Sequence, residues 1–198
     1  MAKGLSEREV SADIVIWPIK FTLAGNDLNS IYSSIEANIK EITDFLTNKG
    51  ILLNEISYGI PSIVDRMAQQ YGYSSKPELR YTAFQTVTVY TNNINVVRDL
   101  MGNLLTLGKK GIVFSSDDYE SQPEYIFTKL NEIKPEMIKD ATKNAREVAQ
   151  QFADDSESRL GKIKKASQGQ FSINSRDKNN PHIKKVRVVS TVEYYLID

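Results

Sequence analysis

The chain has 198 residues, enough for one large domain or two small ones, and 40% of them are hydrophobic, which suffices for a packed core. Its 25 basic and 25 acidic residues cancel, so no overall field draws it onto nucleic acid or an anionic membrane, and zero cysteines exclude disulfides, thiolate metal sites and cysteine nucleophiles without fixing the compartment. No apolar run approaches the ~18 residues of a membrane span, and the opening MAKGLSEREV lacks the apolar core of a signal peptide, so the chain as given is expected to be soluble.

From Gly4 to Leu23 the pattern alternates, with Val15, Trp17, Ile19, Phe21 and Leu23 on one face, which predicts two strands or one long bent strand. Pro18 cannot donate a ladder hydrogen bond, so the strand is expected at an edge or bulged there. Asn26 or Asp27 then caps a helix with the stripe Leu28, Ile31, Ile35, Ile39, Ile42 and Leu46, closed by Gly50 at a left-handed position. Strands follow over 55–65, with Ile56, Tyr58 and Ile60 alternating, and over 80–90, with Ala83, Gln85, Val87 and Val89. Between them RMAQQYGYSSKPEL is longer than a tight hairpin needs and reads as a mobile loop or a protruding arm.

Asn92 or Asn93 opens a shorter helix over about 93–107, with Ile94, Val97, Leu100, Met101 and Leu104 as its stripe and Gly108 and Gly111 at its end. The spacing then predicts strands over 111–116 and 125–133 and a long amphipathic helix over 135–160, with Pro135 at its first position and Gly161 past its last. Its apolar residues recur at Ile138, Ala141, Ala145, Val148, Ala149 and Phe152. Within it Ala141, Ala145, Ala149 and Ala153 form a stripe of methyl groups that lets the backbone lie close to a flat partner, a β-sheet. Strands over 160–173 and 183–197 complete the chain, the last with Val186, Val188, Val192, Tyr194 and Leu196 on one face. The expected fold class is α+β, an antiparallel sheet with long helices packed on one face. A single domain over 1–198 is expected, built from two ββαββ halves, about 1–91 and 111–198, joined by the middle helix.

Five stretches carry a family resemblance: KGLSEREVSADIVIWPIKF at the start, GNDL before the first helix, ATKNAREVAQQFA in the long helix, LGKIKKASQGQFSI after it, and KKVRVVSTVEYYL at the end. Together they resemble the SIMPL-domain proteins, a bacterial family of envelope-associated, stress-linked proteins. Ala12-Asp13 stands where a Pro-Asp pair is usual in that family. The resemblance implies a trimmed, soluble part of an exported or membrane-anchored protein on the periplasmic side, and it implies assembly. The family has no established catalytic residues, so none is carried over.

Elsewhere the residues favour bland readings over chemistry. The sole histidine, His182, sits in the turn-rich RDKNNPHIKK without a second histidine or any cysteine to share a metal. No Gly-x-Ser-x-Gly turn presents a serine nucleophile. Asp117, Asp118, Glu120 and Glu124 lack the alternate spacing and glycine of a calcium loop, while Asp154, Asp155 and Glu157 oppose the dipole at a helix carboxyl end. No cofactor, metal or catalytic residue is expected. The informative feature is charge: between Lys162 and Arg187 eight basic residues face one acid, Asp177. Lys162, Lys164, Lys165, Lys184, Lys185 and Arg187, with Tyr71 and Tyr73 of the arm, are therefore the candidate interaction surface, although lysines also serve simply to blunt a sheet edge. The expected function is non-enzymatic, by self-assembly as a homo-oligomer or by contact with a protein or anionic envelope partner. Nucleic acid is disfavoured for want of interleaved aromatics. The competing class is a small-molecule or lipid-binding module with a pocket between helices and sheet.

Overall fold

The computed structural model describes residues 1–68, 78–115 and 121–197. In chain order its elements are β1 (Ala2–Ser11), β2 (Ile14–Gly25), α1 (Leu28–Thr47), β3 (Ile56–Tyr58), β4 (Ser62–Asp65), β5 (Tyr81–Thr91), α2 (Ile94–Gly102), α3 (Leu105–Gly108), β6 (Val113–Phe114), β7 (Glu124–Ile126), α4 (Leu130–Asp155), β8 (Arg159–Gln168), β9 (Ser172–Ser175) and β10 (Ile183–Ile197). The fold class is α+β, with every strand pair antiparallel where the register is defined. Packing divides the chain into two compact units, one formed by Met1–Asp13 with Ile126–Asp198 and the other by Ile14–Tyr125. The chain passes between them at the short step from β1 to β2 and again at the end of β7, so β1 joins the carboxyl-terminal elements.

In the first unit β10 is central, with β1 on one side and β8 and β9 along the other. Alternation along β10 buries Val186, Val188, Ser190 and Val192 under α4, and β1 buries Ala2, Gly4 and Ser6 on the same face. The alanine stripe makes this close approach workable. Ala141, Ala145 and Ala153 are fully buried, and a Cβ added to Gly4 would lie 2.0 Å from the Ala141 carbonyl oxygen and 2.2 Å from the Ala145 nitrogen. Leu130, Ile133, Met137 and Ala141 continue the stripe towards the helix start and pack with Val186, Val188 and Phe171.

The start of α4 corrects the spacing argument. The helix begins at Leu130, so Ile133 is helical where 125–133 predicts a strand, and Pro135 lies inside the helix and not at its first position. The Asp13 carboxylate accepts from the Thr128 N–H at 3.0 Å and from the Thr128 hydroxyl at 3.0 Å, which turns the chain immediately after β7. The helix also stops earlier than predicted, at Asp155, and Glu157 takes a left-handed φ of 56°. Gly161 belongs to β8. There its absent side chain is matched by close packing, because an added Cβ would meet the Tyr195 carbonyl oxygen at 2.9 Å.

The predicted strand 160–173 is interrupted. Gln168 pairs with Ser190 and Ser172 with Arg187, so the three residues Gly169, Gln170 and Phe171 oppose only Val188 and Val189. Two more irregularities lie nearer the start of β8, where Lys165, Ile163 and Leu160 face Glu193, Tyr194 and Leu196. Each carries an extra residue on β8 and so bends that edge.

In the second unit β2 and β5 pair over their full length, from Val15↔Thr91 to Gly25↔Tyr81. Val15, Trp17, Ile19 and Phe21 alternate with Ala83, Gln85, Val87 and Val89 beneath α1, α2 and α3, which contribute Ile31, Ile35, Ile42, Leu46, Val97, Leu100 and Leu107. Asp27 caps α1 by accepting from the Ser30 N–H at 2.8 Å, and Gly50 closes it at φ 96°. Asn26 instead accepts from the Arg80 N–H. Contrary to the expectation from Pro18, β2 is neither an edge strand nor bulged there: it pairs with β5 in unbroken register through Pro18↔Thr88 and has β6 and β7 on its other side, and proline is tolerated because β6 reaches only Phe21 and Thr22. The helix predicted over 93–107 is broken into α2 and α3 around Asn103 and Leu104.

The strand predicted over 55–65 is broken as well. Tyr58 pairs with Val87 and Ser62 with Phe84, so Gly59, Ile60 and Pro61 oppose two residues of β5, a bulge that leaves Ile60 93% exposed. The Gln85 side-chain amide donates to the Gly59 carbonyl at 2.8 Å and holds the bulge in place.

Candidate functional site

All six predicted basic residues lie in the first unit, but the sheet separates them into two groups. Lys162, Lys164 and Lys165 lie on β8 beside the end of β10, with Lys165 paired to Glu193. Lys184, Lys185 and Arg187 lie at the start of β10, where β1 brings Glu9 and Glu7 opposite Lys185 and Arg187. Six residues of strand from Arg187 to Glu193 span about 20 Å, so the groups sit at opposite ends of the sheet.

Their environments differ too. Lys185 Nζ is 3.0 Å from Glu7 Oε1, and Lys184 Nζ donates to the Ser175 hydroxyl at 3.1 Å. Nearby, Arg176 donates to Asp177 at 2.8 Å and lies 3.7 Å from Glu9; the Arg176 bond holds the Asp177 carboxyl below the usual carboxylate range, helped by Asn180. This end of the sheet is thus largely neutralised by β1, which a count along the sequence could not see. On β8 the ammonium of Lys164 lies 6.0 Å from the Tyr195 ring centroid, and Lys162 lines a groove against α4. Tyr71 and Tyr73 lie outside the described residues, as do Asp117, Asp118 and Glu120.

The β8 group adjoins apolar surface. Ile163, Tyr195, Leu196 and Ile197 are each more than half exposed, and Phe152 on the last turns of α4 is 64% exposed. Between those turns and the end of the sheet lies an apolar groove of about 280 Å³, formed chiefly by Ala2, Ala149, Phe152, Leu160, Val192 and Leu196. Leu160 and Tyr194 also line a broader open groove whose other walls include Lys143, Arg146 and Lys162. The alanine stripe explains the apolar groove, because methyl groups near Ala149 cannot fill the space left where bulged β8 bends away. Periodicity alone signalled only part of this: Phe152 belongs to the apolar stripe, whereas Arg146 stands out only once its strand neighbours are known.

The remaining polar clusters are structural in their contacts. The His182 carbonyl accepts from the Ala12 N–H at 2.8 Å, and Asp154 accepts from the Gln150 amide at 2.8 Å. Among the described residues no group of three or more histidine, aspartate or glutamate side chains is placed to hold a metal ion. Among them, too, no helix is long and apolar enough to cross a membrane.

Two antiparallel sheets, each roofed by helices, with an apolar groove and a lysine-rich strand at one end of the first, define an α+β protein whose most distinctive surface is suited to binding. The chain belongs to the SIMPL family, described as a protein of unknown function (DUF541), whose model matches residues 2–193. No curated protein matches the chain.

Proposed function

We propose that the protein is a non-enzymatic interaction module that assembles with copies of itself or with another protein, on the outer side of a bacterial inner membrane and in the service of stress defence. The observation that carries assembly is the pairing of exposed apolar side chains with a cluster of lysines at one end of the first unit: Ile163, Tyr195 and Ile197 beside Lys162, Lys164 and Lys165, with Glu193 the one acid opposite them on β10. Charge is also divided between the units. The first unit has 16 basic and 13 acidic residues, a net +3, and the second has 9 and 12, a net −3, so a basic surface of one copy meets an acidic unit in the next. The envelope location and the stress role rest on the family resemblance alone.

Light scattering on the full chain tests assembly. The expected mass is a multiple of 22.4 kDa at about 0.05 M salt, falling at about 0.5 M where the screening length is a few ångströms, and falling at low salt in the double variant Lys162→Glu, Lys165→Glu. A monomeric mass in both salts at tens of micromolar protein would remove this reading. A second reading, a small-molecule or lipid-binding module, is favoured by the apolar groove between α4 and the sheet.

A further inference from the structure

The apolar groove and the cationic groove beside it share two wall residues, Leu160 and Tyr194, and so form one continuous surface within the first unit. The apolar part, about 280 Å³, is at the lower end of the roughly 300–1,000 Å³ of small-molecule sites. That volume is large enough for an alkyl chain. Its walls are aliphatic and aromatic, with no ionisable side chain other than the Tyr194 phenol.

The neighbouring part has the opposite character. Lys143, Arg146 and Lys162 line it with no carboxylate among the wall residues. Among the described residues neither Arg146 nor Lys162 has an acidic partner within ion-pair distance, and Lys143 makes only a long exposed pair with Glu147 at 3.8 Å. Arg146 lies on α4 nearly two turns before Phe152 and one turn before Ala149, and Lys162 lies two residues from Leu160 on β8, so helix and strand bring cations to the same groove. An apolar slot ending in two uncompensated cations is complementary to one chemistry.

Resting on the pocket reading above, we propose that this end of the first unit binds a single-chain carboxylate amphiphile, a fatty acid, with its tail along Ala149, Phe152, Val192 and Leu196 and its head against Arg146 and Lys162. Burial of the tail supplies most of the affinity in proportion to the apolar area removed from water, and the guanidinium with the ammonium selects the charged head. A neutral head would leave the cations as they are in water and gain only the tail term.

Isothermal titration of the full chain with dodecanoate, below its micelle concentration, tests this. The expected result is one dodecanoate per chain, binding at least tenfold more tightly than dodecan-1-ol, with that preference abolished in the double variant Arg146→Ala, Lys162→Ala. Phe152→Glu, at an exposed position that should not disturb folding, is expected to abolish binding of both probes; circular dichroism confirms the fold of each variant. Equal affinity for dodecanoate and dodecan-1-ol overturns the fatty-acid assignment while leaving an apolar pocket. Absence of binding by either probe overturns both. Binding to vesicles of anionic phospholipid without any uptake of dodecanoate also overturns the assignment, in favour of a membrane-facing basic surface.

Discussion

Replacing Gly4 by alanine is the most direct probe of how α4 meets the sheet. The new Cβ would sit 2.0 Å from the Ala141 carbonyl oxygen, 2.2 Å from the Ala145 nitrogen and 2.9 Å from the Ala145 Cα, all of them backbone atoms that no rotamer change can move. To restore ordinary contact at 3.4 Å, helix and strand must part by roughly 1.4 Å, which loosens the whole Ala2, Gly4, Ser6 surface against the alanine stripe. Overpacking typically costs about 1–3 kcal/mol, and a contact made only with backbone belongs at the upper end, near 3 kcal/mol. The loss of glycine's freedom in the unfolded chain returns about 0.4–1 kcal/mol, so a net destabilisation of about 2 kcal/mol or more is expected. For a unit of this size that lowers Tm by roughly 8–16 °C. Far-UV circular dichroism during heating measures it, with Gly102→Ala as the control, since an added Cβ there meets nothing within 4 Å. A Gly4→Ala transition within about 2 °C of the unmodified protein would show that helix and strand are not in close contact at Gly4.

The same packing predicts a graded response along the stripe. Ala145→Leu, at a fully buried position, should cost about 1–3 kcal/mol, whereas Ala149→Leu, which borders the groove, should cost less because its added carbons have space; equal losses in urea denaturation would contradict this. Acid should destabilise the protein through three carboxylates held below their usual range: Asp27 by the Ser30 hydroxyl, Asp65 by Arg80, and Asp177 by Arg176. Depressed native values mean that their stabilisation is complete above the unfolded value near 4 and is lost progressively as pH falls from there through the lower native values, so the urea midpoint should begin to drop below about pH 5 and keep falling under about pH 4, less steeply in Asp65→Asn. Parallel pH curves for Asp65→Asn and the unmodified protein would refute the assignment.

How far the fold could be read from the sequence depended on whether a feature repeats locally. β10 was legible because Val186, Val188, Ser190 and Val192 alternate along its buried face, and α1 because Asp27 and Gly50 bracket a regular stripe. The alanine stripe named its own partner, since only a flat surface with a residue such as Gly4 lets a helix come so near. The bulges at Gly59–Pro61, in the first half of β8 and at Gly169–Phe171 were not legible: one extra residue flips the side-chain phase while leaving composition unchanged. Pro135 misled because proline favours a first helical position, yet Leu130 and Ile133 ahead of it and Met137 after it already carry the helical spacing. Nor could the basic stretch be resolved along the sequence, because Glu7 and Glu9 reach it only through the non-local pairing of β1 with β10.

The strand edges bear on how any assembly would be built. In the first unit α4 lies over β1, where Asn144 donates to the Leu5 carbonyl at 2.8 Å and Arg8 is tied to Glu136 and Asp140. The opposite edge is broken by the bulges of β8 and by the step to β9, and it carries Lys162, Lys164 and Lys165. In the second unit β3 and β4 are split by a bulge that includes Pro61, while β6 and β7 are two and three residues long. Covered, bulged, charged or short edges are how proteins prevent a stray strand from adding to a sheet. Association by strand addition, which relies on main-chain hydrogen bonds and varies little with salt, is therefore disfavoured in favour of contact through side chains. On that basis the proposed assembly should weaken steeply with ionic strength and with charge reversal on β8, and a salt-independent oligomer unaffected by Lys162→Glu, Lys165→Glu would argue that an edge opens after all.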